Sequence, residues 1–315
     1  MRYLLYGCRI RSNRPIPGLI ASSSDAVDLD VEFDRLPPPA SEEPGIYASP
    51  SLRVSRTPRG YRFVYEDAQF LVADSGDRVI AATSPGSSFE DTCTYLVGPV
   101  MGFALRLRGA VCLHASVVVA GGSAVALCGP PGAGKSSSAA GFAQRGCAVL
   151  AEDMAALQEN GDGFLVQPGY PRVNLWPDAA AALGGDGDAL PAITPNWEKR
   201  YLPLASGVRA DVPSFHCDPA PLTAIYILEG RGTALEAAFR PLKPMEALLA
   251  LAANTYSWYL LDSAMRAREF DVLRRLVRAV PVRAVSAPDD FAGIGLLCDG
   301  ILADLGNAGA VGRAY

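Results

Sequence analysis

Half of the 315 residues are hydrophobic and only 19% are charged, which excludes a disordered chain or an acidic tail and provides for a sizeable buried core. The 28 basic and 33 acidic residues leave a formal charge of −5 with no long block of like charge, so a nucleic-acid backbone is not an expected partner. Seven cysteines, odd in number and without a C-x-x-C pair, sit mostly in apolar runs and predict buried, reduced thiols of a cytoplasmic protein.

The opening MRYLLYGCRIRSNR has too short and interrupted an apolar run for a secretory signal, so export is not expected. Up to Ser88 the chain is turn-rich, with LRVSRT, YRFVYE, AQFLVAD and DRVIAAT as partly alternating strand segments; this predicts a small β-rich N-terminal domain over residues 1–88. Within it DRLPPPASEEPGIYASPS reads as a proline-rich surface loop, because consecutive prolines donate no backbone N–H. A second domain is expected over residues 89–315. It begins with a helix, FEDTCTYLVGPVMGFALRLR, broken at Gly98-Pro99. VCLHASVVVAGGSAVALCG has the length of a membrane span, but Gly121-Gly122 divides it into two β-branched runs, which predicts a buried hairpin and no membrane partner. KSSSAAGFAQRG then predicts a helix closed by Gly146, and CAVLAED a buried strand ending in two carboxylates. ALQEN and GFLVQPG predict a strand pair around Asn160-Gly161, and AAALGGDGDALPAITPNWEKRYLPL a mobile glycine-rich loop. LTAIYILEG and VPVRAVSAP read as strands. Between them PMEALLALAANTYSWYLLDSAMRAREFDVLRRLVRAV supplies one or two long helices, and PDDFAGIGLLCDGILADLG a terminal helix.

The most specific signal is Gly129-Pro130-Pro131-Gly132-Ala133-Gly134-Lys135-Ser136, followed by Ser137. It fits G-x-x-x-x-G-K-[ST] at every specified position, between an apolar strand and a helix. Such a loop turns its N–H groups inward around phosphate oxygens, the helix adds its positive end, the lysine reaches the outer phosphates and the serine holds Mg²⁺. This predicts ATP with Mg²⁺ as the bound nucleotide and metal. The chain has only three lysines, Lys135, Lys199 and Lys243, and otherwise uses arginine.

Glu152 and Asp153 end a strand expected beside the P-loop strand, where a metal-ligating or proton-accepting carboxylate belongs; the alternative is an exposed pair capping the strand. His114 lies mid-strand in an apolar run and reads equally as a catalytic group or a satisfied core residue. His216 reads as surface. Lys199-Arg200 follow the glycine-rich loop as a clamp on the transferring phosphate or as a solvated pair. Trp176, Trp197, Trp258 and the tyrosines read as core or interface rather than a base-stacking platform.

His114, the hairpin, GPPGAGKS, the helix ending QRG and the strand ending in two acids together resemble the catalytic domain of HPr kinase/phosphorylase. The resemblance implies an α/β (α+β) fold: a P-loop domain of the phosphoenolpyruvate-carboxykinase and HPr-kinase kind, preceded by the β-rich domain. It implies that His114 sits by the phosphates, that Lys135 and Ser136 hold nucleotide and metal, and that Asp153 takes the proton from the acceptor hydroxyl. Glu152 stands where the family usually has a second aspartate; with Ser136 and Asp153 it completes the implied metal set. The motif match spans roughly residues 110 to 153. Beyond it, Pro168 to Pro171 with Leu175-Trp176, Lys199-Arg200, and Asn254 to Tyr256 resemble a divergent branch that includes kinases of lasso-peptide precursors. The family's E-I-R-G segment is missing, Asp178 is a weak stand-in for its glutamate, and residues 1–88 do not resemble its regulatory domain. Homo-oligomers are known in the family.

The expected function is therefore an ATP-dependent kinase that phosphorylates a serine hydroxyl on a peptide or protein, with Asp153, Glu152, His114, Lys135 and Arg200 as its working residues. A kinase of a small hydroxylated metabolite and a non-catalytic nucleotide-binding module are the alternatives.

Overall fold

The fold is described from a computed structural model of the chain, covering residues 1–39, 43–183, 190–206, 212–229, 237–286 and 292–311. The glycine-rich loop expected around residues 184–189 lies outside them.

The N-terminal strands are β1 (Arg2–Leu5), β2 (Cys8–Ser12), β3 (Leu29–Phe33), β4 (Gly45–Ala48), β5 (Arg53–Thr57), β6 (Gly60–Val64), β7 (Ala68–Ala73) and β8 (Arg78–Thr83). They form one sheet in the order β1-β2-β3-β8-β7-β6-β5-β4. The stretch expected to be a proline-rich loop is partly a strand. Past Pro44 the backbone N–H groups are free again, and β4 pairs with β5 as an edge. The four strands read from alternation in this half correspond to β5 to β8, each pairing antiparallel with the next.

One face of this sheet packs on α1 (Phe89–Tyr95) and α2 (Met101–Leu107). Ser88 caps α1 through a reciprocal box with Asp91. A wide helical turn over Leu96–Val100 accommodates Pro99, which cannot donate to the carbonyl one turn back. The apolar core of the first sheet is continuous across residue 88, because Phe103, Met154, Leu260, Leu261 and Met265 join Phe63, Phe70 and Val72 in it.

The remaining strands are β9 (Val111–Leu113), β10 (Ala115–Ala120), β11 (Ser123–Cys128), β12 (Ala148–Ala151), β13 (Ala155–Asn160), β14 (Gly163–Val166), β15 (Arg172–Leu175), β16 (Arg200–Pro203), β17 (Ala205–Ser206), β18 (Ser214–Phe215), β19 (Ala220–Leu228), β20 (Ala238–Pro241) and β21 (Val282–Ser286). Most join a mixed sheet whose path is β17-β18-β12-β10-β11-β19-β14-β13-β9, with β21 beside β19 and β20 beside β21; β15 and β16 form a separate ribbon. Helices α3 (Lys135–Gln144), α4 (Pro177–Ala182), α5 (Pro244–Ala253), α6 (Ser263–Ala279) and α7 (Ala292–Val311) complete the chain.

The central strands are apolar at successive positions because both faces are covered. Val117, Ala126 and Cys128 point into a core closed by Leu248 and Leu251 of α5 and Leu273 and Leu276 of α6. Val118, Val125 and Leu127 point into the opposite core, closed by Phe142 of α3 and Ile294, Leu297 and Ile301 of α7. The architecture is a mixed α/β fold with helices on both sides of the larger sheet. Among the described residues no helix is long and apolar enough to cross a membrane. All seven cysteines are free thiols, five of them buried.

Candidate active site

Three chain segments meet at one end of the central strands of the large sheet. β10 runs antiparallel to both β11 and β12, so the start of β10 lies level with the ends of its two neighbours: Ala115 faces Cys128, and Val117 faces Ala151. His114 therefore emerges beside the P-loop on one side and beside Glu152 and Asp153 on the other. The sequence places the acid-bearing strand beside the P-loop strand; the structure corrects this, because β10 lies between them. The first arm of the expected hairpin also divides. β9 leaves to pair with β13, β10 stays with β11, and His114 occupies the break rather than mid-strand.

The loop after β11 places Gly132 and Gly134 at φ of 81° and 93°, conformations in which a Cβ is disfavoured. Lys135 opens α3. Its buried ammonium donates to the carbonyls of Gly129 at 2.7 Å and Pro130 at 3.1 Å, and burial lowers its pKa. Ser136 donates to Glu152 Oε1 at 2.7 Å, and Asn174 Nδ2 donates to Oε2 at 3.1 Å. Glu152 is 5% exposed. Burial first, then the neighbouring Asp153 charge, raises its pKa to about 7.

Adjacent residues of an extended strand point to opposite faces, yet Glu152 and Asp153 both line one cleft. A three-residue turn makes this possible: Asp153 adopts φ of 65°, and Met154 N–H donates to the Glu152 carbonyl at 2.8 Å. The Asp153 side chain is 46% exposed; His114 Nε2 lies 3.4 Å from its Oδ1. Tyr256 OH donates to its Oδ2 at 2.8 Å. Burial opposes the Asp153 charge, but His114 and the Tyr256 hydroxyl outweigh it and hold the carboxyl below its usual range.

The segment Asn254 to Tyr256 has a direct structural reason. It forms a bridge against the break at His114, with His114 N–H donating to the Asn254 carbonyl at 2.7 Å and Tyr256 N–H to the Cys112 carbonyl at 2.8 Å. Gly102 of α2 leaves room for the Tyr256 ring, since a Cβ there would lie 2.6 Å from ring carbon Cδ1. Gly102→Ala is expected to destabilise the protein by about 1–3 kcal/mol in chemical denaturation, although alanine is the better helix former. An unchanged or raised midpoint would show that the ring moves aside without cost.

The cleft has a volume of about 860 Å³ and is lined by Pro131, Gly132, Gly134, Lys135, Ser136 and Ser137 of the loop, by His114, Glu152 and Asp153, and by Asp178, Trp176 and Lys199. Its opposite wall comes from the first sheet and α1 and includes Tyr6, Tyr47, Leu52, Tyr65 and Tyr95. Of the Lys199-Arg200 pair, Lys199 lines the cleft, with Nζ 5.0 Å from the Trp176 ring centroid. Arg200 instead lies on β16, in register with Leu175. Gly129, Pro130 and Ala133 shape the loop behind the lining. Trp176 is not core: it is 57% exposed at the cleft. His216 is half-buried and donates its backbone N–H to Val149.

Asn174, Tyr6 and Arg172 of the cleft, and Tyr256 behind Asp153, are not singled out by the sequence as working residues. For two of them a signal existed: in R-V-N-L the polar Arg172 and Asn174 alternate with the apolar Val173 and Leu175, as on a strand with one face on a core and one on a polar site.

Ser136 Oγ, the Glu152 carboxylate and Asn174 Oδ1, which is buried without a donor, are hard oxygen ligands suited to Mg²⁺. Among the described residues no three His, Cys, Asp or Glu side chains cluster to hold a metal by themselves. Mg²⁺ itself takes one or two carboxylates and completes its shell with phosphate and water.

No family model and no curated protein matches the chain. Among solved structures, the Hpr(Ser) kinase/phosphatase from Coxiella burnetii is similar to 64% of this chain and 99% of its own length, at 13% identity and a TM-score of 0.31.

Proposed function

We propose that the chain is an ATP-dependent kinase, with an HPr-kinase-like P-loop domain, that transfers the γ-phosphate to a serine hydroxyl of a peptide or protein. The observation that carries this reading is the convergence on one cleft of a P-loop, a serine bonded to one carboxylate, and a second carboxylate oriented by a histidine and a tyrosine. A nucleotide switch has no use for the second carboxylate.

Phosphoryl transfer depends on alignment and charge neutralisation more than on covalent catalysis. The loop amides would surround the phosphates, and Lys135 would exchange its two carbonyl partners for phosphate oxygens. Ser136 and Glu152 would hold Mg²⁺, which supplies positive charge to the outer phosphates. Asp153, ionised at neutral pH, accepts the proton of the serine hydroxyl as its oxygen bonds to the γ-phosphorus and the bond to the β–γ bridging oxygen breaks. ADP leaves. His114 and Tyr256 hold the carboxylate in place for that proton.

Calorimetry with ATP and Mg²⁺ tests the first half of this reading. The native protein is expected to bind, and Lys135→Ala to weaken binding on the order of 100-fold, by removal of a charge-assisted contact. No uptake of nucleotide by the native protein overturns the proposal.

A further inference from the structure

β1 and β2 are joined by Tyr6 and Gly7, with Leu5 and Cys8 paired across them. The φ values of 53° and 75° are the left-handed pair that a two-residue hairpin turn requires, and asparagine followed by glycine is the sequence that fills it with least strain. A tyrosine in the first position holds a conformation disfavoured for a bulky side chain, so the turn alone does not account for it. Among the described residues only Asp153 and Ser257 share that conformation without being glycine. Asp153 is the proposed proton acceptor and Ser257 follows the tyrosine bonded to it, which sets Tyr6 in a group of strained residues around one site.

The contacts of Tyr6 fix its ring beside the strand that carries the acids. Its N–H donates to the Pro168 carbonyl at 2.8 Å, and the next residue, Gly169, donates to the Leu150 carbonyl of β12 at 2.8 Å. Gly169 leaves the ring its place: a Cβ there would lie 3.0 Å from Tyr6 Cε1 and 3.1 Å from the Cα of Ala151, the residue before Glu152. Tyr6 is 5% exposed and lines the cleft with Glu152 and Asp153, yet its hydroxyl has no hydrogen-bond partner among the described residues. The carboxylate oxygens are already occupied. Ser136 and Asn174 donate to the two of Glu152, Tyr256 donates to Oδ2 of Asp153, and His114 faces Oδ1. Burial first, then the Asp153 and Glu152 charges, holds the Tyr6 hydroxyl well above its usual range, so it stays protonated as a neutral donor. A donor left without an acceptor in a buried corner is costly, and an oxygen of whatever fills the cleft removes that cost.

We propose that Tyr6 is a catalytic residue of the phosphate transfer, its hydroxyl donating a hydrogen bond to a non-bridging oxygen of the phosphoryl group as that group passes to the acceptor; this role rests on the kinase reading. In that reading the phosphoryl group crosses the space between the P-loop and Asp153, and the Tyr6 ring abuts the segment that ends in both acids. Transfer spreads negative charge over the phosphoryl oxygens, which Lys135 meets from the loop. A neutral donor fixed in advance beside two carboxylates adds to this without the cost of turning a solvent dipole. The proton stays on the Tyr6 oxygen throughout. Because Tyr6 is carried by the β1–β2 hairpin, the first sheet thereby takes part in the chemistry.

The test needs neither an acceptor nor turnover. The full chain is titrated calorimetrically with ADP and Mg²⁺, alone and with aluminium fluoride, an anion that takes the place of the phosphoryl group beside ADP. In the native protein the fluoride is expected to tighten binding of ADP. Tyr6→Phe removes only the hydroxyl and is expected to weaken the fluoride complex on the order of 30-fold, as for a hydrogen bond to a charged group, while ADP alone binds within about two-fold of native. A fluoride complex of native strength in Tyr6→Phe overturns the inference, as does a native protein in which fluoride adds nothing to ADP binding. Loss of ADP and of the fluoride complex to the same degree also overturns it, because the hydroxyl would then serve the fold and not the phosphoryl group. Failure of the native protein to bind either ATP or ADP is a separate result, which would overturn the kinase reading and the role of Tyr6 with it.

Discussion

Asp153→Asn is expected to lower kcat for phosphate transfer by about 10²–10⁴-fold while leaving the affinity for ATP and Mg²⁺ within a few-fold of native. The asparagine keeps the shape and one oxygen, so the Tyr256 hydroxyl retains an acceptor and the local turn need not rearrange. What it loses is the charge that receives the hydroxyl proton and the attraction to His114. A structural role alone would predict a lower melting temperature and weaker nucleotide binding. The catalytic role predicts neither, only slow transfer. Single-turnover measurement with γ-labelled ATP separates the two, and transfer at the native rate would reject Asp153 as the proton acceptor.

Glu152→Gln is expected to abolish transfer and at the same time to stabilise the nucleotide-free protein at pH 8. The Glu152 carboxyl is buried against Asp153, and its pKa is raised to about 7 in the folded chain from an ordinary value near 4.5. A raised carboxyl contributes its stabilisation fully below the unfolded value. It loses that contribution as pH rises from about 4.5 to about 7, because folding must then bury an ionised group. Glutamine removes this penalty. Its amide can donate to Asn174 Oδ1, now without a donor, once the Asn174 amide turns over, while its carbonyl still accepts from Ser136. The expected gain is about 1–3 kcal/mol at pH 8 and little at pH 5, read as a melting temperature higher by a few degrees at the higher pH alone. In the native protein kcat/KM should fall as pH drops through the raised Glu152 value, because the protonated carboxyl cannot hold the metal. A melting temperature lowered at both pH values would show that the charge stabilises the fold, contrary to this account.

The candidate site was legible in the sequence to an uneven degree. GPPGAGKS could be read because its chemistry is carried by consecutive residues: the conformations of Gly132 and Gly134 and the position of Lys135 at a helix start are local properties. The broken helix at Gly98-Pro99, the hairpin turn at Gly121-Gly122 and the alternation in β5 to β8 were legible for the same reason. The strand β4 was hidden by the prolines ahead of it, since pairing depends on a partner and not only on composition. Arg200 was the natural choice in a Lys-Arg pair, but the register of β15 with β16 sets Arg200 opposite Leu175, whereas Lys199 lines the cleft.

What the sequence alone determined is the phosphate-binding loop, the presence of two acids at the end of a strand, and two regions of different secondary structure, because turn chemistry and hydrophobic period act over a few neighbouring residues. Only the tertiary structure decided that β10 runs between the P-loop strand and the acid strand, that the turn at Asp153 aims two adjacent carboxylates into one space, and that Asn174, Tyr256 and Arg172 join them. Those relations are set by strand order and by contacts between residues tens of positions apart, such as Tyr256 with Asp153. Such contacts form only when burial of the three cores fixes the direction of each strand, and no local pattern records that choice.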